Sequence, residues 1–235
     1  MTPKVKAVLV LVAALAFALS PLLTPGFGGF DPDRFPVPQK NPPAQPAGYA
    51  FSIWGLIYLW LIVHAAYGLW KRADDAGWDA VRWPLLVSLA VGVSWLSVAV
   101  NSPLGALVLI WVMLAGALMA LFAVPKSEPW LLSAPISIYA GWLTAASFVA
   151  IAINAAGYGI GPNALAWAWI VTGLLVAVAA AVQWRIGRMP GYGITVGWAL
   201  GALGVANGGN HVVLALVAFA AAAAMVALPF VAPNR

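Results

Sequence analysis

Apolar residues occur along this chain in eight long runs, separated by short polar, charged or Pro/Gly-rich segments. A helix rises about 1.5 Å per residue, so runs of roughly 16 to 25 residues are long enough to cross a bilayer. Within the runs apolar and polar residues do not alternate, which favours helices over strands. The predicted helices are Ala7–Leu23, Tyr49–Trp70, Pro84–Asn101, Leu104–Val124, Trp130–Asn154, Ala164–Trp184, about Tyr192–Ala206, and Val212–Val231.

The segments between these runs predict turns and loops. Residues 24–48 are rich in Pro and Gly, and we expect a solvated loop there; Phe27, Phe30 and Phe35 allow a folded lid as the alternative. The charged stretch KRADDAGWDAVRW predicts a loop before the third helix. The first run resembles a signal peptide in its basic start and its Ala16-Phe17-Ala18, but the prolines that follow favour a transmembrane helix. No internal repeat of constant period is evident.

The composition places the chain in a membrane. Of its 235 residues, 64% are hydrophobic and 7% are charged, whereas a soluble domain carries about 25% charged residues. In lipid only bundled helices or a closed barrel satisfy the backbone hydrogen bonds. We therefore predict an all-α, polytopic transmembrane bundle of about eight helices. The absence of cysteine excludes disulfides, thiol catalysis and cysteine-ligated metals.

The basic residues predict the orientation of the bundle. With eight helices, nine basic residues fall on one side and only Arg34 and Lys40 on the other. This positive-inside bias predicts a protein of the cell (inner) membrane with both termini cytoplasmic. The basic residues are scattered among the loops, so nucleic acid is not an expected partner. The nine residues are Lys4, Lys6, Lys71, Arg72, Arg82, Lys126, Arg185, Arg188 and Arg235.

Few residues are suited to catalysis. All six acidic residues fall in predicted loops, and no Lys or Arg lies in the middle of a predicted span. Ion-coupled carriers usually keep ionisable groups inside the bundle, and hydrolases need a base, a nucleophile or a metal cluster. These classes are therefore disfavoured. His64 is the one histidine within a span; we expect it to bond a neighbouring helix or carbonyl, with ligation of a haem or chlorophyll metal as the alternative.

Thirteen tryptophans distinguish the chain from an ordinary bundle. Those at helix ends fit the aromatic belt of the membrane interface. Those at greater depth carry an N–H that needs an acceptor, so we expect them to face the bundle or a cavity. Packing between Ala- and Gly-rich helices explains any one of them, whereas several at one depth favour a pocket. The deep tryptophans are Trp54, Trp60, Trp95, Trp111, Trp142 and Trp198.

Small and amide side chains indicate where helices meet. Gly197-x-x-x-Gly201 and Ser88-x-x-x-Gly92 are close-packing patterns, used either within the chain or between two copies in a homodimer. We predict that the Gly197/Gly201 face packs tightly. Five asparagines fall at outer helix ends, where capping and turns are the expected roles and a polar outer vestibule is the alternative. They are Asn101, Asn154, Asn163, Asn207 and Asn210.

Three motifs connect the chain to a known family. After a proline-rich approach, the second helix opens as PAGYAFSIWGLIY, with Phe51, Trp54 and Tyr58 on one face. The third carries SLAVGVSW, ending at Trp95, and the fifth carries PISIYAGWLTAASF, with Trp142. In order and spacing these motifs resemble the TspO/MBR family (translocator protein, tryptophan-rich sensory protein) over roughly residues 7–154.

The resemblance implies a bundle, often dimeric, that binds porphyrins or other flat apolar molecules beneath its first loop. It divides the chain into a five-helix TspO-like part, 1–154, and three additional helices, 155–235, without counterpart in that family. Ser88 and Gly92 replace the family's Gln and Asn, so a usual polar contact is expected to be missing. No sterol-like element follows the fifth helix, and cholesterol binding is not carried over.

Three functions follow as hypotheses. The first is binding of a tetrapyrrole (porphyrin or haem) or similar hydrophobic small molecule, in a sensory or transport role among membrane lipids. The second is an uncoupled small-molecule transporter or permease, and the third a pigment-associated structural subunit with His64 as metal ligand. For the first, similar depths predict a shared binding layer of rings. The predicted ligand-binding residues are Phe51, Trp54, Tyr58, Trp95, Tyr139 and Trp142.

Overall fold

The computed structural model describes residues 1–24, 28–125 and 128–233. Within these ranges the chain forms eight α-helices and no strand, which confirms the predicted all-α fold. Short 3₁₀ turns follow α1 and precede α2, and a π-helical turn, Pro129–Ser133, precedes α5. The helices are α1 Pro3–Leu19, α2 Ile53–Lys71, α3 Ala76–Ala99, α4 Pro103–Ala123, α5 Ala134–Gly157, α6 Ala164–Ile186, α7 Pro190–Asn207 and α8 Val212–Val231.

The start of α3 corrects the sequence prediction. The helix begins at Ala76 rather than at Pro84, so the expected charged loop forms its first two turns. Asp75 caps it by accepting a hydrogen bond from the Trp78 backbone N–H at 3.0 Å. Asp79, also expected in a loop, lies in the first helical turn. Pro84 therefore lies inside a helix, a position that usually costs a backbone hydrogen bond.

The helices pack as two rings that share α5. The first five close in the order α1, α2, α5, α4, α3, and α5, α6, α8 and α7 close a second ring. As the shared member, α5 is the most buried helix, and its small residues allow neighbours to approach from several sides. The three C-terminal helices are thus joined to the rest through α5.

The bundle has two chemically different ends. The charged end carries the start of α1, the end of α2 and the start of α3. Lys6 pairs with Asp79 at this end. The buried Arg82 guanidinium donates hydrogen bonds to the carbonyls of Pro3, Gly68, Arg72 and Ala73. The loop end carries the first loop and the turns α3–α4, α5–α6 and α7–α8.

Another ion pair at the charged end joins α2 to the start of α5. The Arg72 guanidinium, just after α2, donates to the Glu128 carboxylate before α5 at 2.6 Å. This hydrogen bond raises the pKa of Arg72 above its usual value. Together with the Arg82 bonds, it joins α1, α2, α3 and the start of α5 at this end.

Glycines set the closest helix contacts. A Cβ on Gly92 would lie 2.8 Å from the Phe17 ring, and one on Gly116 would lie 2.7 Å from the Pro84 carbonyl, so α3 approaches both α1 and α4 closely. On α7, Gly197 lies against Val226 of α8, but a Cβ on Gly201 would meet nothing within 4 Å. The predicted Gly197/Gly201 contact is therefore wrong at Gly201.

Seven of the eight described helices are long and apolar enough to cross a membrane, and α7 is the exception. It nevertheless runs between the two ends of the bundle: Gly191, at its start, lies against Ser137 at the start of α5, and Asn207, at its end, bonds the first loop. Because α5 and α8 cover it, α7 needs less apolar surface than a lipid-facing span.

Candidate ligand-binding cavity

The first loop folds back onto the bundle. Phe35 is buried against Gly157 at the end of α5, and its ring also contacts those of Phe30 and Tyr158 edge to face. The Val37 N–H donates to the Gly157 carbonyl at 2.9 Å. The expected solvated loop is therefore wrong for the described part of residues 24–48, and the lid alternative is confirmed there; Phe27 lies outside the described residues.

The second half of the loop is attached to α7. The Ala47 N–H donates to the Ala202 carbonyl at 3.1 Å, and the Asn207 amide donates to the Pro43 carbonyl at 2.9 Å. The Trp198 indole N–H donates to the Ala50 carbonyl at 3.1 Å. The loop therefore spans from α5 to α7 across the loop end of the bundle.

An apolar cavity of about 70 Å³ lies beneath this loop. One stripe of α5 lines it, at the spacing of a helix face: Trp142, Ala145, Ala146, Val149, Ala150 and Ile153. Opposite this stripe the lining comes from the loop and from α3, α4, α6 and α7: Gly29, Phe30, Gln45, Pro46, Phe51, Trp95, Ile110, Leu175, Ala199, Leu200 and Leu203.

Three of the six predicted ligand-binding residues line this cavity: Phe51, Trp95 and Trp142. The Phe51 and Trp142 ring centroids are 5.8 Å apart, in an edge-to-face arrangement. The Trp95 indole N–H donates to the Ala106 carbonyl of α4 at 3.0 Å, which fixes the ring between α3 and α4.

Two others, Trp54 and Tyr58, form a neighbouring cluster. Their rings stack at 5.2 Å, and both contact Phe17 of α1 edge to face. Trp54 also reaches Trp142, at 6.1 Å between centroids. This cluster supports the wall of the cavity from the side of α1 and α2.

Tyr139 is fully buried, and its hydroxyl is 2.8 Å from the Ser88 hydroxyl. Ser88 also donates to the Met113 carbonyl at 2.7 Å. Ser88 therefore links α3, α4 and α5, whereas Gly92, at the second of the two substituted positions, lies against the Phe17 ring. Tyr139 does not line the cavity.

The Trp142 indole N–H has no hydrogen-bond acceptor among the described residues, although the side chain is only 3% exposed. A buried indole N–H usually has a partner. Trp142 thus combines a side chain that lines the apolar cavity with a buried indole N–H that is unpaired among the described residues.

The other deep tryptophans have different surroundings. The Trp60 indole N–H donates to the Trp130 carbonyl at 2.9 Å. Trp111 and Trp198 are 37% and 40% exposed. The expectation that deep tryptophans face the interior is therefore wrong for much of these two rings.

His64 lies near the charged end, roughly 15 Å along α2 from Trp54 at 1.5 Å per residue. Its Nδ1 is 2.7 Å from the Leu131 carbonyl, and its ring stacks on Trp78 at 4.9 Å between centroids. This geometry provides the expected bond to a neighbouring carbonyl. It also places Trp78, expected in a loop, in the buried part of α3.

Sequence reasoning missed the contribution of α6 and α7. Leu175, Ala199, Leu200 and Leu203 are ordinary apolar residues of these helices, and nothing in their pattern separates cavity lining from packing. Gln45 was missed because the loop was expected to be solvated. The proline-rich composition before the second helix was the available signal that this segment is stiff enough to pack.

The comparisons with known proteins give one match. A family model described as TSPO-like protein matches residues 39–231. The match begins within the first loop and continues through α6–α8, which the motif-based resemblance over residues 7–154 leaves out. No curated protein and no solved structure matches the chain.

Proposed function

The chain belongs to the TSPO-like protein family as a multi-pass membrane protein, and we propose that it binds a tetrapyrrole or similar flat, hydrophobic molecule in a sensory or transport role. The observation that carries this proposal is the cavity beneath the first loop, where Phe51, Trp95 and Trp142 meet an apolar stripe of α5. Aromatic faces on apolar walls suit a planar ligand, which needs few polar groups for orientation.

Trp142 is the group best placed to orient such a ligand. Its indole N–H is buried and has no acceptor among the described residues. A ligand with an acceptor at its edge would satisfy this donor and remove the cost of burying it unpaired, about 1–3 kcal/mol. An apolar ring system without an acceptor would bind more weakly.

Ligand entry requires the loop to move. The cavity measures about 70 Å³, whereas pockets for drug-sized ligands enclose roughly 300–1,000 Å³. A tetrapyrrole therefore fits only after displacement of the loop or its aromatic side chains. Few hydrogen bonds, those given above, hold the loop to the helix ends, so the loop can move at modest cost. A bound ligand would then take the place of Phe30 and Gln45 in the lining of the cavity.

Titration of the purified protein with protoporphyrin tests the proposal. Binding should quench tryptophan fluorescence, and Trp142→Ala should weaken the affinity about tenfold or more, as expected for loss of an aromatic wall and a donor. Trp70→Ala is the matched control, because Trp70 is 80% exposed. Equal affinity of the folded Trp142→Ala variant and wild type would place the ligand elsewhere.

One observation favours transport of the ligand as a second candidate. Helix packing repeats in the two halves of the chain: α1 packs on α2 and α3, and α3 on α4, while α5 packs on α6 and α7, and α7 on α8. Arg82-x-Pro84 at the charged end of α3 has a counterpart in Arg188-x-Pro190 at that of α7. Asn101 and Asn207 follow these prolines at the same distance.

Helices of both halves line the cavity, as in transporters whose substrate site lies between two repeats. Movement of a porphyrin across liposomes containing the protein would support transport. If a porphyrin binds to the protein but does not move across the liposomes, the sensory role remains as the proposed function.

A further inference from the structure

A second cavity, of about 350 Å³, lies at the loop end between residues 41–48 and the turn that joins α7 to α8. In contrast to the first, its walls are polar. The polar side chains that line it are Asn41, Gln45, Asn207, Asn210 and His211. We refer to it as the polar cavity.

Two connections hold its walls in place. The buried Asn207 amide donates to the Pro43 carbonyl on the loop and to the Leu203 carbonyl on α7, both at 2.9 Å. The Ala47 N–H adds the bond to Ala202. The adjacent prolines Pro42 and Pro43 stiffen the loop side. The polar cavity is therefore shaped by the fold.

Its chemistry favours a hydrogen-bond acceptor with negative charge. Asn210 and His211 supply donors, and no acidic side chain is among the described residues that line the cavity. His211 also precedes the first residue of α8, and its side chain makes no capping bond there. The first-turn N–H groups of α8 thus add partial positive charge to this wall.

The two cavities adjoin, since Gln45 and Pro46 line both. We infer that the ligand is an amphiphile: its flat apolar body occupies the cavity beneath the first loop, and a carboxylate reaches Asn210 and His211 in the polar cavity. This inference rests on the proposed function. It adds the chemical class of the ligand and a role for the α7–α8 turn.

The test compares protoporphyrin, which carries two carboxylates, with its dimethyl ester, which has the same ring system without the charges. Affinities are measured in lipid nanodiscs for wild type, for the double variant Asn210→Ala/His211→Phe and for Asn101→Ala. Asn101 is the matched control: it is an exposed asparagine at the α3–α4 turn and lies outside the polar cavity.

Wild type and Asn101→Ala should bind the acid about tenfold more tightly than the ester, the effect of one or two hydrogen bonds to a charged group. The double variant should lose this preference and retain its affinity for the ester. Equal affinity of wild type for both compounds, or an unchanged preference in the double variant, overturns the inference and leaves the proposed function standing. Binding of neither compound overturns both.

Discussion

One aromatic ring holds the lid at its α5 side. Phe35 packs against Gly157, where a side chain would collide with the ring. Gly157 is buried in this contact, and Val37, two residues after Phe35, donates its N–H to the Gly157 carbonyl. Access to the cavity therefore depends on a residue that does not itself line the cavity but contacts the lining residue Phe30.

Replacing Gly157 with Ala should open the lid. The added methyl group overlaps the Phe35 ring, and such overpacking costs about 1–3 kcal/mol. Because the chain has no cysteine, a single Ala44→Cys change provides a clean probe: Ala44 is 3% exposed in the closed loop. Its thiol should react with maleimide about tenfold faster in the Gly157→Ala background.

The control for that experiment is Gly55→Ala, since a Cβ on Gly55 meets nothing within 4 Å. A labelling rate that rises equally in both backgrounds would show that the probe, rather than the Phe35 contact, governs exposure.

Half of the six residues predicted to bind the ligand line the cavity. Phe51, Trp95 and Trp142 line it, whereas Trp54 and Tyr58 pack around Phe17. Helical periodicity places residues on one face of α2, but it does not say which neighbour that face meets. The ring of Phe17 comes from α1, which carries no motif that would have indicated the contact.

Among the helices, α7 and α8 pack closely along one seam. Gly193 and Gly197 bring the α7 backbone against α8: a Cβ on Gly193 would lie 2.5 Å from the Met225 carbonyl, and one on Gly197 would lie 2.7 Å from Val226. Gly204 accommodates the ring of Phe219 in the same way. Gly201 lies off this seam.

Gly193→Ala should therefore destabilise the bundle by about 1–3 kcal/mol, because the clash is with backbone and cannot be relieved by a rotamer change. Gly201→Ala is the matched control on the same helix and should leave stability within about 0.5 kcal/mol. Thermal unfolding in detergent, followed by circular dichroism, measures both. A larger loss of stability for Gly201→Ala than for Gly193→Ala would contradict the close contact between α7 and α8.

The sequence predicted the helix bounds well within the apolar runs and poorly where a helix begins among charged residues. The predicted start of α3, Pro84, was too late, because Asp79 and Arg82 are unfavourable in lipid and proline is typical of a first helical turn. Both charges find partners from distant parts of the chain, Lys6 and the carbonyls at the end of α2. Such long-range pairing is not visible in a local pattern.

For the whole molecule, the distribution of basic residues predicts the orientation. At the charged end lie Lys4, Lys6, Lys71, Arg72, Arg82, Arg185 and Arg188, and at the loop end Arg34 and Lys40. Lys126 and Arg235 lie outside the described residues. The positive-inside rule therefore predicts a cytoplasmic charged end and an outward-facing lid.

Reporter fusions at the carboxyl terminus test this orientation. With eight crossings, a fluorescent protein that matures only in the cytoplasm should be bright, and a phosphatase active only in the periplasm should be silent. An active phosphatase would mean that α7, the helix with the least apolar composition for a span, does not cross the membrane.

The number of helices and their alternating direction could be predicted from the sequence. Which helices pack against each other could not. The two rings that share α5 arise from contacts between segments far apart in the chain, which small residues permit but do not specify. For this reason the contribution of α6 and α7 to the cavity emerged only from the structure.

Photolabelling tests the central claim, a planar ligand beneath the first loop, most directly. A photoreactive tetrapyrrole is bound to the wild-type protein in nanodiscs, activated by light, and located by mass spectrometry with and without excess protoporphyrin. The label should fall within residues 142–153 of α5 and 28–51 of the loop, and competition should remove it. Label spread over the lipid-facing surfaces of α2, α6 and α8, or insensitive to competition, would contradict the account.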